Sequence, residues 1–153
     1  MSAHGTARMK DPAAELRAHG LRATPAALAV LEVLHAARAP LTHDEAAREY
    51  QRRVGAPPDR VTLYRILDRL AQAGLCDRIS GADRRTRFAA HGQGAGYVFE
   101  CSACHKVLPL PDDPELPAVL DRLGRSLKRR GIRASEATVM LHGTCRDCGK
   151  PGR

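Results

Sequence analysis

Two cysteine pairs, Cys101-Ser-Ala-Cys104 and Cys145-Arg-Asp-Cys148, carry the clearest chemistry in the chain. Each C-x₂-C step offers two thiolates on one short turn, and two such steps together surround a single tetrahedral ion. Four sulfur ligands leave no coordination position for water or substrate, so the expected ion is a structural Zn²⁺. It would clip a strand near residue 101 to the C-terminal end. The alternatives are two independent thiol pairs or redox-active dithiols. A thioredoxin-type C-x-x-C, however, follows a strand in a larger βαβ fold, and that pattern is missing here. His105 lies inside the knuckle and reads as exposed, because four thiolates already suffice. Cys76, the odd cysteine, follows Leu75 in a strand-like stretch and reads as buried.

A second set of candidates lies on one helix. In Asp59–Gly74, Leu63, Ile66, Leu67 and Leu70 recur at i, i+3, i+4 and i+7 and form an apolar stripe. Val61, Tyr64, Arg65 and Asp68 share that spacing on another, mostly polar face. Asp59 can cap the helix and Gly74 can end it. A helix anchored by leucines and displaying Thr62, Tyr64 and Arg65 suits DNA recognition, with those side chains reaching phosphates and base edges. An ordinary amphipathic helix with a solvated face has the same pattern, so its neighbours must decide.

Those neighbours form a series. Residues 1–10 read as a loose tail without an apolar run, so not as a signal peptide. Asp11–His19 predicts a short helix closed by Gly20. Thr24 and Pro25 open a second helix, whose buried side is Leu28, Leu31, Val33 and Leu34. Thr42-His-Asp-Glu45 is a capping box for a third helix running to about Val54, and Gly55–Pro58 is a turn. After Gly74 the period shortens. Leu75–Ile79 and Thr86–Ala90 read as strands joined by Ser80–Arg85. Three helices and a basic hairpin predict a winged helix-turn-helix over residues 11–90, with Arg84, Arg85 and Arg87 of the wing neutralising phosphates.

Residues 91–96 read as a glycine-rich hinge. Tyr97–Cys101, Lys106–Leu110 and Thr138–His142 then predict strands, and Leu116–Arg130 a helix with Leu120, Leu123 and Leu127 on one side. The expected fold class is therefore α+β: a winged helix-turn-helix domain, then a small α/β dimerisation domain at 97–153 with a four-cysteine zinc site. A unit of about 60 residues is marginal for an independent core, so it needs a staple or a partner chain.

The totals agree. The 153 residues suffice for one ordinary domain or two small ones, and with 43% hydrophobic residues and no Trp, cores must be built from Leu, Val, Ala and Ile. The net charge is +8, and residues 1–90 hold fifteen of the Lys and Arg against ten Asp and Glu, as expected if that part meets a polyanion. No run of about 18 apolar residues is present, so no membrane span is expected. The expected location is cytoplasmic, where cysteines serve more often as ligands than in disulfides. No nucleophile–base pair, phosphate loop or open catalytic metal appears, so neither enzyme activity nor a small-molecule substrate is expected.

Leu21-Arg-Ala-Thr-Pro25, Val61-Thr-Leu-Tyr-Arg65, Leu70-Ala-Gln-Ala-Gly-Leu75, the Cys101 pair with Lys106-Val107, and His142-Gly-Thr-Cys-Arg-Asp-Cys148 together resemble the ferric-uptake-regulator family over roughly residues 12–149. The resemblance implies a homodimer that binds palindromic double-stranded DNA operators as a metal-dependent repressor. By position, Thr62, Tyr64 and Arg65 would face the major groove, and Arg22 the minor groove or backbone beside it. The departures are as informative. Gly94–Val98, Pro40, Ala89 and Pro109 stand where the family often carries ligands of its regulatory metal. Asp77 and His91 remain, at positions resembling those that zinc-uptake-regulator members use to sense zinc. Two ligands alone do not make a tight site, and His43, His35 and Cys76 are possible additions. The expected function is a zinc-favouring repressor. The alternatives are a related DNA-binding regulator that binds constitutively or answers thiol oxidation, and a zinc-ribbon adaptor that does not touch DNA.

Overall fold

The computed structural model describes residues 11–91, 97–111, 113–135 and 137–149. The tail at 1–10 and the hinge residues 92–96 lie outside the described residues. The elements run α1 (Pro12–Ala18), α2 (Pro25–Ala36), β1 (Leu41–Thr42), α3 (His43–Val54), α4 (Arg60–Gln72), β2 (Cys76–Ser80), β3 (Thr86–Ala90), β4 (Tyr97–Cys101), β5 (Val107–Pro109), α5 (Glu115–Arg129) and β6 (Val139–Gly143).

The helix starts follow local chemistry. Asp11, Thr24, Thr42 and Asp59 each accept a backbone N–H from the first turn of α1, α2, α3 and α4 in that order. At α3 the cap is reciprocal: Glu45 Oε2 takes the Thr42 N–H at 2.8 Å, and the Thr42 hydroxyl takes the Glu45 N–H at 3.3 Å. Gly55 closes α3 and Gly74 follows α4, both with positive φ, which a side chain would strain.

The first sheet has the order β1-β3-β2, all antiparallel, with Asp77 opposite Ala89 and Ile79 opposite Arg87. β1 leaves no periodic signature, because two residues are too few to alternate. It pairs Leu41 with Phe88, so the turn before α3 is stitched to the wing. Beneath this sheet Leu16, Leu31, Leu34, Leu63, Leu67, Leu70 and Phe88 form one core.

The second sheet has the order β5-β4-β6, with β4 and β6 parallel and α5 in the connection between β5 and β6. Its apolar packing is thin. Val98 and Val107 share a cluster with Ile79 and Ala89 of the first sheet. The leucine side expected of α5 is not covered: no residue of this helix is buried, and Leu123 remains 55% exposed.

The two cores predict unequal sensitivity. Leu67→Ala should destabilise the protein by about 2–5 kcal/mol through lost burial and the cavity left behind. Urea unfolding followed by circular dichroism should show this loss, and Leu123→Ala should change the unfolding of the isolated chain far less.

Candidate metal centre and nucleic-acid interface

β4 ends at Cys101, and the tight turn after it carries Cys104. Cys145 and Cys148 occupy the turn that follows β6, the strand beside β4. Parallel pairing therefore brings two turns roughly forty residues apart in sequence to the same edge. The four sulfurs lie within 4.8 Å of one another, and Cys104 Sγ and Cys145 Sγ are 3.8 Å apart, with no disulfide among them. Sulfurs bound tetrahedrally at about 2.3 Å to one zinc stand about 3.8 Å apart, so the donor set fits that ion.

The backbone prepares this site for negative charge. The Cys145 N–H donates to Cys101 Sγ at 3.3 Å. This contact first, and then the N–H groups of Cys104 and Ala103, pull the Cys101 thiol down to about 6. Cys148 moves the other way, up to about 12, because it shares its proton with Cys145, Cys104 and Cys101. Four thiolates at this spacing repel one another unless protons or a cation lie between them. A dication displaces the shared protons, and a structural Zn²⁺ held by Cys101, Cys104, Cys145 and Cys148 would close the centre.

The other metal candidates are partly assembled. Asp77 on β2 and His91 just beyond β3 meet, with His91 Nδ1 2.9 Å from Asp77 Oδ1. The remaining candidates point elsewhere. Cys76 lies in the core, donates to the Leu67 carbonyl at 3.7 Å and is pushed up to about 12 by burial. His35 pairs with Glu15 at 3.4 Å. His43 stacks against Tyr64 and Phe88 at ring separations of 4.2 and 4.8 Å, and burial lowers its pKa. Among the described residues, the four cysteines make the one cluster of three or more metal-ligating side chains that converge on a common point.

On α4 the buried stripe is Leu63, Leu67 and Leu70, with Ile66 packed partly against the core. Thr62, Tyr64 and Arg65 are exposed on the same helix, as is Arg22 before α2. Val61 is also exposed, at 57%, beside Thr62. It lacks a polar handle and so carries no chemical signal in the sequence, yet an exposed valine at the start of such a helix suits a thymine methyl group. Hydrogen bonds from Thr62, its side chain first, hold the Asp59 carboxyl below the usual carboxylate range. His43, a possible metal ligand by residue type, instead supports the Tyr64 ring from behind.

The wing requires one correction. Arg84 and Arg85 are exposed, but Arg87 is buried and cannot meet phosphate. Residues 87 and 89 share the face of β3 that packs on the second sheet, and there the Arg87 guanidinium bonds Asp83 at 2.8 and 3.1 Å and the His105 carbonyl at 3.1 Å. Hydrogen bonds from Arg87 in turn hold the Asp83 carboxyl far below its ordinary value.

The helices α2, α3 and α4, a buried leucine stripe under an exposed polar face, a basic wing and a four-sulfur centre define a winged-helix protein of the metal-binding transcription-regulator class. The Ferric uptake regulator family model matches residues 18–142. The Ferric uptake regulation protein of Shigella flexneri is 29% identical over 140 residues, covering 90% of each chain. The ferric uptake regulator of Pseudomonas aeruginosa, solved with manganese, is 21% identical with a TM-score of 0.72, covering 89% of this chain and 98% of the other. Holo XcZur is 26% identical with a TM-score of 0.56, covering 92% and 97%. The chain belongs to the ferric uptake regulator family. It is a DNA- and metal-binding transcription regulator and not an enzyme. No helix among the described residues is long and apolar enough to cross a membrane.

If the four sulfurs hold the second sheet together, Cys145→Ser should lower the zinc content of the purified protein from about one ion per chain to near zero. The same substitution should expose the β4–β6 region to amide exchange while α2 and α4 stay protected. Metal analysis and hydrogen exchange measure the two effects.

Proposed function

We propose that the chain is a sequence-specific transcriptional repressor that binds operator DNA as a homodimer in the cytoplasm and responds to a metal ion, with zinc favoured. The observation that carries this reading is α4, whose leucines are buried while Thr62, Tyr64 and Arg65 stand exposed on the helix that the winged-helix arrangement delivers to a major groove. Arg65 is suited to a guanine edge or phosphate, Thr62 and Tyr64 to hydroxyl contacts, and Val61 to a thymine methyl. Arg22, Arg84 and Arg85 flank this surface and would meet phosphates without reading sequence.

The homodimer rests on apolar surface that the single chain leaves open. Val119, Leu123, Ile132 and Leu141 on or beside α5 and β6 are each 44–55% exposed. A second copy covering them would supply the core that the 97–153 unit lacks. Two readers joined this way would meet half-sites about one helical turn apart, so the expected operator is palindromic.

The regulatory ion is assigned to Asp77 and His91, which already share a short contact on the wing face turned to the second sheet. A ligand favouring one arrangement of wing and sheet shifts the population toward the DNA-competent dimer. The competing reading is a regulator that has lost metal sensing and binds constitutively or responds to oxidation of the cysteines. It draws on the absence, among the described residues, of any cluster of three or more converging ligands besides the four cysteines.

Two measurements test this. Arg65→Ala should weaken operator binding by about 1–3 kcal/mol and relax preference at one base, whereas Arg85→Ala should weaken all sequences alike and flatten the salt dependence. Fluorescence anisotropy with a selected operator reads both, and unchanged binding in the two variants defeats the DNA-reader assignment. With the cysteine-bound zinc retained, added zinc should tighten operator binding by the wild type and leave the Asp77→Ala/His91→Ala variant unresponsive. An indifferent wild type favours the constitutive reading.

A further inference from the structure

We infer that Arg87 is a positioning residue for DNA binding: from inside the protein it joins the wing turn to the cysteine-bearing turn, and so sets where Arg84 and Arg85 meet the phosphate backbone. Its guanidinium donates to Asp83 Oδ1 and Oδ2 at 3.1 and 2.8 Å, and to the His105 carbonyl at 3.1 Å. Asp83 passes the restraint on, because its Oδ1 also accepts the Arg85 N–H at 3.0 Å. The Arg84 N–H donates to the Gly81 carbonyl at 3.0 Å, and Arg84 itself holds a positive φ of 59°. The two exposed arginines thus belong to a turn with a defined backbone.

The far anchor is equally defined. His105 follows Cys104, has a positive φ of 57°, and donates its N–H to the Cys101 carbonyl at 2.8 Å. That conformation aims the His105 carbonyl at Arg87. A second tie runs alongside: Glu100, fully buried on β4, accepts the Ala82 N–H on both carboxylate oxygens at 3.0 Å. The three side chains crowd over Gly81, where an added methyl group would stand 2.5 Å from Arg87 Nη1, 2.7 Å from Asp83 Oδ1 and 3.2 Å from Glu100 Oε1. The wing turn is therefore held to the second sheet at Ala82 and Asp83.

Stability alone does not call for this arrangement. Arg87 lies opposite Ile79 and shares its face of β3 with Ala89, beside Val98 and Val107. An apolar side chain there would extend that cluster, and a buried ion pair adds little net stability over such packing. What a planar guanidinium adds is geometry, since its fork fixes both distance and orientation between two acceptors. A direct phosphate contact needs that precision: a wing turn free to pivot gives up donor–acceptor distances of about 2.7–2.9 Å. The positioning role rests on the reading of Arg84 and Arg85 as phosphate contacts; the ties between wing and second sheet do not.

Arg87→Lys keeps the charge and loses the fork. Asp83→Asn, on the turn itself, keeps an acceptor for the Arg85 N–H and loses the ion pair, and serves if the lysine variant fails to fold. Each is made in the full chain and again in an Arg84→Ala/Arg85→Ala background. Anisotropy with an operator duplex selected from random sequence is read over a salt series. Either variant alone should flatten the slope of log affinity against log salt by roughly one to two, as loss of one or two phosphate contacts does. Added to Arg84→Ala/Arg85→Ala, it should cost nothing further, whereas a merely structural role predicts the full additional loss. Without DNA, the Ala82 and Arg85 amides should lose exchange protection in both variants while α4 stays protected. Additive losses, or amides as protected as in the wild type, overturn the positioning role. If Arg84→Ala/Arg85→Ala binds the duplex as the wild type does, the phosphate reading itself fails and the role falls with it.

Discussion

The parallel pairing of β4 and β6 is the constraint from which the second half of the protein follows. It sets Cys101 against Gly143, and so brings the turn after each strand to one edge of the sheet. Without that register the two C-x₂-C turns would be far apart, and no ion could bridge them. Parallel strands need a long crossover, and α5 supplies it. The helix is thus present for connectivity before it is present for packing, which explains how it can leave its apolar side open.

The first half depends on a different balance. Leu63, Leu67 and Leu70 fix the rotation of α4 about its own axis, because turning the helix would expose them and bury Arg65. Burying one such leucine contributes roughly 1.5–3 kcal/mol, more than any single surface contact of the polar face. The reading face is therefore set by what lies behind it. His43 adds a finer restraint, since its ring sits between Tyr64 and Phe88 and ties the exposed tyrosine to the core.

Much of this was legible in the chain because it is local. Asp11, Thr24, Thr42 and Asp59 each cap a helix through hydrogen bonds to residues two or three positions away, so their neighbours in sequence suffice. The cysteine spacing needs only coordination chemistry. What escaped was tertiary. Arg87 reads as another wing cation like Arg84 and Arg85, since nothing nearby reveals that its face of β3 meets a second sheet. Glu100 is easily passed over beside Cys101, although a glutamate between Phe99 and Cys101 is an odd residue for a strand in a small domain. β1 was too short to show a period, and the open leucine side of α5 looks in sequence like any helix packed within its own chain.

The seam between the two sheets shows why these tertiary features belong together. Ile79 and Ala89 from the wing share an apolar cluster with Val98 and Val107, and at its margin lie the Arg87–Asp83 pair and the Glu100 carboxylate. Buried charges of this kind add little net stability over apolar packing, but they are costly to mismatch, so they select one arrangement of the two sheets. Glu100 and Cys101 are consecutive on β4. Any force that fixes the sulfurs at one end of this strand also fixes the carboxylate that holds the wing turn. Coordination chemistry at the cysteines and the placement of Arg84 and Arg85 are thereby linked through a single strand.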